Sequence, residues 1–291
     1  MKHIPISLKQ DRRALGLISK RPPSTAIVFV HGFWGKPRST WVDFVNLIEK
    51  DKKWDDCDLF FYGHRSNKQV RPLADKFLPF LMELATGRES GVMTTPFIAP
   101  SSTSTTLFGT AADFWNTRGT SPYKQIVLVG HSAGALIIRE TVCLVANSAQ
   151  RSEDSKTEPR ASDAKVLHSH VRFFAPAHRG LLGAGLLGIA KGISKIDLVP
   201  ALCLEWNPLY KNIEKQTVVD DIKNETERLW KEHKYPALKA FSVFGSDETI
   251  VNIGKYDHED KEKTLDHQTH TSICKPRPDF PFPVEFVADV I

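Results

Sequence analysis

Residues 125–134 read Gln125-Ile126-Val127-Leu128-Val129-Gly130-His131-Ser132-Ala133-Gly134. The first five form an apolar, β-branched run that is typical of a buried strand. Gly130 to Gly134 match the pattern G-x-S-x-G, and apolar residues at helical spacing follow directly. A strand, a serine between glycines and a helix in direct succession predict a sharp turn that presents the Ser132 hydroxyl at the end of a sheet.

The rest of the chain alternates strand-like and helix-like segments, which predicts a mostly parallel central sheet flanked by helices, that is, an α/β fold. Further strands are predicted at Thr25–Val30 and at residues 58–62, 171–174 and 238–244. His3–Leu8 alternates weakly and is predicted to be an antiparallel edge strand. Residues 181–235 interrupt the alternation with an apolar, glycine-rich start, and they predict a cap or lid. Residues 1–291 are predicted to form one domain.

Charge and composition exclude several classes of protein. The net charge is +5, from 39 basic and 34 acidic residues, and no basic run is long enough to predict nucleic-acid binding. The polar N-terminus lacks a secretory leader, and no apolar run approaches the ~20 residues that span a bilayer, so a cytoplasmic location is expected. The four cysteines, Cys57, Cys143, Cys203 and Cys274, form no C-x-x-C pair and are expected to be reduced thiols rather than metal ligands.

A second motif, His31-Gly32-Phe33-Trp34-Gly35, follows the strand Thr25–Val30. With the G-x-S-x-G turn, it resembles the lipase-like serine esterases of the α/β-hydrolase superfamily. The resemblance implies an α/β-hydrolase fold, Ser132 as nucleophile, and an oxyanion hole made by the backbone N–H groups of Phe33 and Ala133. His31 is expected to anchor the oxyanion loop, and His131 to be a packed neighbour of the serine.

The acid is expected after a late strand, because the triad order in this superfamily is Ser, then Asp or Glu, then His. The segment Gly245-Ser246-Asp247-Glu248-Thr249-Ile250-Val251 resembles the family's acid turn, which implies Asp247 as the acid. Glu248 and Asp197 are alternatives, and Asp247 could also serve only to cap its own turn.

The base is expected to be a histidine near the C-terminus, with His258, His267 and His270 as candidates. Residues 270–275, which begin with His270 and end with Ile273-Cys274-Lys275, match the pattern H-x-S-I-x-K. This pattern resembles the C-terminal end of a branch of these esterases. The resemblance favours His270, with His267 as the alternative. His178 is expected to organise its loop rather than to take part in chemistry.

These residues predict hydrolysis of a small-molecule acyl ester or lipid through an acyl-enzyme, without a metal or organic cofactor. The apolar segment within residues 181–235 suggests transient contact with a membrane surface. A thioesterase or amidase would use the same groups. A hydrolase effector working with a partner protein and a non-catalytic binding module are the remaining alternatives.

Overall fold

The computed structural model describes residues 3–8, 14–19, 23–33, 35–36, 39–41, 43–64, 69–86, 123–155, 160–180 and 218–291. The strands are β1 (His3–Leu8), β2 (Ala14–Ser19), β3 (Thr25–Val30), β4 (Cys57–Tyr62), β5 (Gln125–His131), β6 (His170–Phe174), β7 (Ala240–Gly245) and β8 (Lys263–Leu265). The α-helices are α1 (Phe44–Ile48), α2 (Val70–Thr86), α3 (Ala133–Asp154), α4 (Ala161–Leu167), α5 (Val218–His233) and α6 (Phe282–Ala288).

The eight strands form one sheet in the order β1-β2-β4-β3-β5-β6-β7-β8. β2 is antiparallel to both of its neighbours, and every other pairing is parallel. β1 is therefore an antiparallel edge strand, as predicted. Because β3, β5, β7 and β8 run in the same direction, the loops that follow them meet at one edge of the sheet.

The centre of the sheet is buried on both faces. Every residue of β3 and β4 is buried. β3 is rich in β-branched residues, whereas β4 is mostly apolar and aromatic but includes the buried Asp58. Phe29 stacks on Phe61 with ring centroids 4.7 Å apart. Helices α2, α3 and α4 pack against one another, α5 packs against α3, and α1 packs against α6. The predicted fold class, a mostly parallel sheet flanked by helices, is confirmed.

The predicted cap falls largely outside the described residues, which resume at Val218. The described remainder, α5, packs against α3 through a buried face that includes Ile222 and Leu229. This end of the segment therefore belongs to the flanking helices, and a cap over residues 181–217 stays a prediction, as does the single domain. Among the described helices, none is both long and apolar enough to cross a membrane.

Candidate active site

Ser132 occupies a strained turn between β5 and α3, with φ of 54° and ψ of −122°. A non-glycine residue adopts such a conformation only where its surroundings hold it. Here the Ser132 N–H donates to the Phe174 carbonyl at 3.0 Å, and the Ser132 carbonyl accepts from the Ala177 N–H at 3.2 Å. Position 134 accommodates only glycine, because a Cβ there would lie 2.1 Å from the Val30 carbonyl oxygen. The predicted elbow is present.

The loop after β3 lies against the serine. A Cβ on Gly32 would lie 2.6 Å from the Ser132 Cβ, so only glycine permits this approach. Phe33 follows and lines the same cavity as Ser132. On the other side, Ala133 is the first residue of α3, where backbone N–H groups have no acceptor within the helix. Phe33 and Ala133 thus flank Ser132, and their oxyanion role stays a prediction.

Two stacked histidines support the loop that follows β3. The rings of His31 and His64 have centroids 4.0 Å apart, and His64 Nε2 donates to the His31 carbonyl at 2.8 Å. His31 Nδ1 lies 2.9 Å from the Gly32 carbonyl. These contacts agree with an anchoring role for His31. The sequence had not singled out His64, because its only signal is a position shortly after β4.

The expectation for Asp247 is corrected by the structure, which brings its neighbour Glu248 to the histidine. Glu248 Oε2 lies 3.0 Å from His270 Nδ1, and the Glu248 side chain is buried. Asp247 is exposed, and its carboxylate accepts a hydrogen bond from the adjacent Ser246 hydroxyl at 3.1 Å. Asp197, the other alternative, lies outside the described residues.

Backbone hydrogen bonds between two loops decide which acid turns inward. The N–H of Ser246 donates to the Leu265 carbonyl at 2.8 Å, and that of Asp247 donates to the Gln268 carbonyl at 3.1 Å. With the Asp247 backbone pinned in this way, its side chain points to solvent and the next side chain points to the site.

Several hydrogen bonds stabilise the ionised form of Glu248. Burial by itself would raise the pKa of the carboxyl, but the hydrogen bond and charge of His270 and the N–H groups of Ile250 and Val251 outweigh it and hold the pKa below its ordinary value. An ionised carboxylate only accepts hydrogen bonds, so Nδ1 of His270 carries the proton. Nε2 of the neutral ring is then left as a proton acceptor.

His270 and His267 lie in different environments. His270 is buried and lines the cavity with Ser132. His267 is exposed at a positive φ of 59°, with its backbone N–H bonded to the Ser246 hydroxyl. His258 lies beside Leu238, with its Nε2 3.0 Å from that carbonyl. Of the three candidate histidines, only His270 both contacts a buried carboxylate and lines the cavity.

His131 positions the backbone of His270. Its Nε2 donates to the His270 carbonyl at 2.8 Å, and the ring centroids are 4.9 Å apart. Burial, followed by the nearby charges of His270 and Lys275, lowers the pKa of His131 to about 3. His131 is therefore neutral at physiological pH and acts as a fixed hydrogen-bond donor. From the sequence, His131 was expected only to be a packed neighbour of the serine.

Ser132 and His270 open into a cavity of about 300 Å³. Its described walls include Phe33, Ile250 and Lys275, so both apolar surface and a positive charge border the cavity that contains the serine. The described residues contain no cluster of three His, Cys, Asp or Glu side chains that could hold a metal ion. Burial raises the pKa of the Cys274 thiol, which also lines the cavity, to about 12.

His178 is not among the described residues that line this cavity, and it belongs to a buried cluster with Arg139 and Glu259. It is fully buried, and its Nε2 donates to the Gly254 carbonyl at 2.7 Å. Arg139 pairs with Glu259 beside it, and the guanidinium lies 4.1 Å from the centre of the Tyr256 ring. Burial, reinforced by Arg139, lowers the pKa of His178 to about 4. These contacts agree with the predicted organising role, whereas the Arg139–Glu259 pair was not expected.

Replacing Gly245 with alanine is expected to separate the acid from the histidine. A Cβ there would lie 1.9 Å from the Gln268 carbonyl oxygen, so the two loops would have to move apart. We expect overpacking to lower the free energy of unfolding by about 1–3 kcal/mol, and kcat to fall more than stability alone explains. Thermal unfolding and ester turnover check this. Gly254→Ala is the control for backbone strain. The nearest atoms to a Cβ at this position belong to the flexible Arg179 side chain, but the backbone of Gly254 has a φ of 151°. Equal loss of turnover in both variants would contradict the prediction.

Neither a protein-family model nor a curated protein sequence matches the chain. Among solved structures, it is similar to an inhibited esterase B from Lactobacillus rhamnosis, with 10% identity, a TM-score of 0.47 and coverage of 99% of this chain and 84% of that chain. A monoacylglycerol lipase from Paleococcus ferrophilus has 12% identity, a TM-score of 0.44 and coverage of 100% and 97%. The esterase Pf2001 from Pyrococcus furiosus has 14% identity, a TM-score of 0.42 and coverage of 99% and 89%. Identities and TM-scores this low carry no information about substrate.

The fold follows from the geometry of the chain itself. A serine on a tight strand-to-helix elbow, at the carboxyl edge of a mostly parallel sheet, is the arrangement by which α/β-hydrolases expose their nucleophile. In this chain the acid and the histidine follow β7 and β8, in the order that the superfamily uses. The chain has the α/β-hydrolase fold.

Proposed function

We propose that this protein is a serine hydrolase that cleaves carboxylic esters through an acyl-enzyme on Ser132, with His270 as base and Glu248 as the acid that orients it. The observation that carries the proposal is the 3.0 Å contact between His270 Nδ1 and a buried, ionised Glu248. This contact leaves Nε2 of a cavity-lining imidazole as the proton acceptor in a site that also contains the elbow serine.

In the first half-reaction, Ser132 Oγ attacks the ester carbonyl carbon as its proton moves to His270 Nε2. Negative charge develops on the carbonyl oxygen, where the N–H groups of Phe33 and Ala133 donate to it. The partial positive charge at the start of α3 favours the same oxygen. The C–O bond to the alcohol then breaks, and the alcohol leaves with the proton from Nε2.

In the second half-reaction, water attacks the acyl carbon and gives its proton to His270 Nε2. The new tetrahedral intermediate releases the acid, and Ser132 Oγ recovers its proton from the imidazolium. Glu248 stabilises the imidazolium in both halves and stays ionised throughout. Thioesters and amides would pass through the same intermediates, but no contact in the described part of the cavity favours them over esters.

Covalent labelling tests the proposal. A fluorophosphonate is expected to modify the intact protein once, at the peptide that contains Ser132, because only an activated hydroxyl attacks phosphorus at neutral pH. The same preparation should hydrolyse 4-nitrophenyl butyrate, and labelling should abolish that activity in proportion to its extent. Ser132→Ala, checked for folding by circular dichroism, is the blank. Labelling at another residue, or turnover that survives complete labelling, would refute the assignment.

A further inference from the structure

Lys275 brings a positive charge to the described wall of the cavity, where that charge acts on the neighbouring His131 and Cys274. It lines the same cavity as Ser132 and His270 and is partly exposed. Its backbone N–H donates to the Ser272 carbonyl at 3.0 Å, which holds it directly after the turn that carries His270.

The described walls of the cavity hold no carboxylate that could neutralise this ammonium. The carboxylate of the proposed triad, Glu248, is buried behind His270 and bound to it. Of the other titratable groups in the wall, Cys274 is a neutral thiol and His131 a neutral imidazole at physiological pH. Among the described residues, Lys275 forms no ion pair within 4 Å. An ammonium in the wall of a small, partly apolar cavity contributes a positive potential to the site.

We propose that Lys275 selects substrates that carry an anionic group, a carboxylate or a phosphate, near the scissile ester. The inference rests on the proposed function, since it assigns the substrate class of the same cavity. A substrate anion would meet the ammonium at one end of the cavity while its carbonyl reaches Ser132. Hydroxyls of Ser39 and Thr271, also in the wall, are available to donate to it.

Matched ester pairs test the inference on both sides of the scissile bond. For the acyl side, 4-nitrophenyl hemisuccinate is compared with 4-nitrophenyl butyrate, which has the same chain length. For the alcohol side, the butyrate ester of 4-hydroxybenzoate is compared with that of its methyl ester. In each pair the quantity measured is the ratio of kcat/KM for the anionic ester to that for the neutral one.

Lys275→Met is expected to lower this ratio about 10-fold in one of the two pairs, the scale of a partly screened charge pair at close range. Lys275→Arg should retain most of the preference for the anionic ester. Added salt should lower the kcat/KM ratio of the unaltered protein. Lys124→Met is the matched control. Lys124 is exposed and precedes β5, about 25 Å along the strand from Ser132. This variant removes the same charge and should leave the ratio unchanged.

The ester pair whose kcat/KM ratio falls in Lys275→Met shows whether the anion lies on the acyl or the alcohol part of the substrate. An unchanged ratio in both pairs, with the esters still hydrolysed, would overturn the inference and leave the proposed function standing. Equal loss for neutral and anionic esters would assign Lys275 to transition-state stabilisation or to structure, and would also overturn it. If no ester is hydrolysed and Ser132 is not labelled, the proposed function fails and the inference fails with it.

Discussion

Replacing His270 with alanine is expected to lower kcat for a simple ester by about 10⁶-fold, the scale seen when the base of a serine triad is removed. Without the imidazole, nothing accepts the Ser132 proton as the hydroxyl attacks, and nothing returns a proton to the leaving alcohol. The residual rate would come from the oxyanion hole and substrate binding. Steady-state kinetics with 4-nitrophenyl butyrate, together with the rate of fluorophosphonate labelling, measure the effect.

His267→Ala is the matched control, because it removes the same side chain three positions earlier. That side chain is exposed, so kcat should change by less than about threefold. Circular dichroism and the melting temperature of both variants show whether either one is misfolded. Comparable losses in the two variants, with both folded, would remove His270 as the unique base and reopen the choice between them.

Glu248→Gln is expected to lower kcat by about 10⁴-fold, as when a triad acid is replaced by its amide. The amide N–H₂ can donate to His270 Nδ1, which favours the tautomer with the proton on Nε2, the wrong one for a base. Asp247→Asn makes the same chemical change one residue earlier, in an exposed side chain, and should change kcat by less than about threefold. A larger loss for Asp247→Asn than for Glu248→Gln would show that the acid assignment is wrong.

The pH dependence of stability gives an independent check on Glu248. Its pKa is lowered in the folded protein, so the ionised carboxylate stabilises the fold above the pKa of an unfolded glutamate, about 4.3. That contribution is lost as the pH falls through the lowered folded value. The difference in unfolding free energy between the unaltered protein and Glu248→Gln should therefore be largest near neutral pH and shrink in acid. A difference that grows as the pH falls would contradict a lowered pKa.

The positions of six of the eight strands and of the turn that carries Ser132 could be predicted from the local sequence. A short run rich in β-branched residues, such as residues 126–129, favours a buried strand, and the glycines around Ser132 permit an elbow that larger residues would block. Both signals act over a few residues, so they can be read directly along the chain. Two strands were not predicted. β2 carries a glycine and β8 is only three residues long, so neither has a strong periodic pattern.

The choice between neighbouring acids was decided by tertiary structure alone. Asp247 and Glu248 are adjacent carboxylates in one turn, and no local propensity distinguishes them. The distinction comes from hydrogen bonds to Leu265 and Gln268, about twenty residues later in the chain, which set the direction of each side chain.

The same physical reason explains the other residues that the sequence left unassigned. His131 holds the backbone of a residue 139 positions away, and Lys275 lines the same cavity as Ser132 because β5 and β8 end at the same edge of the sheet. The sequence determined which residue types follow each strand. Packing of the loops at the carboxyl edge, which joins segments remote in sequence, decided which of those side chains meet.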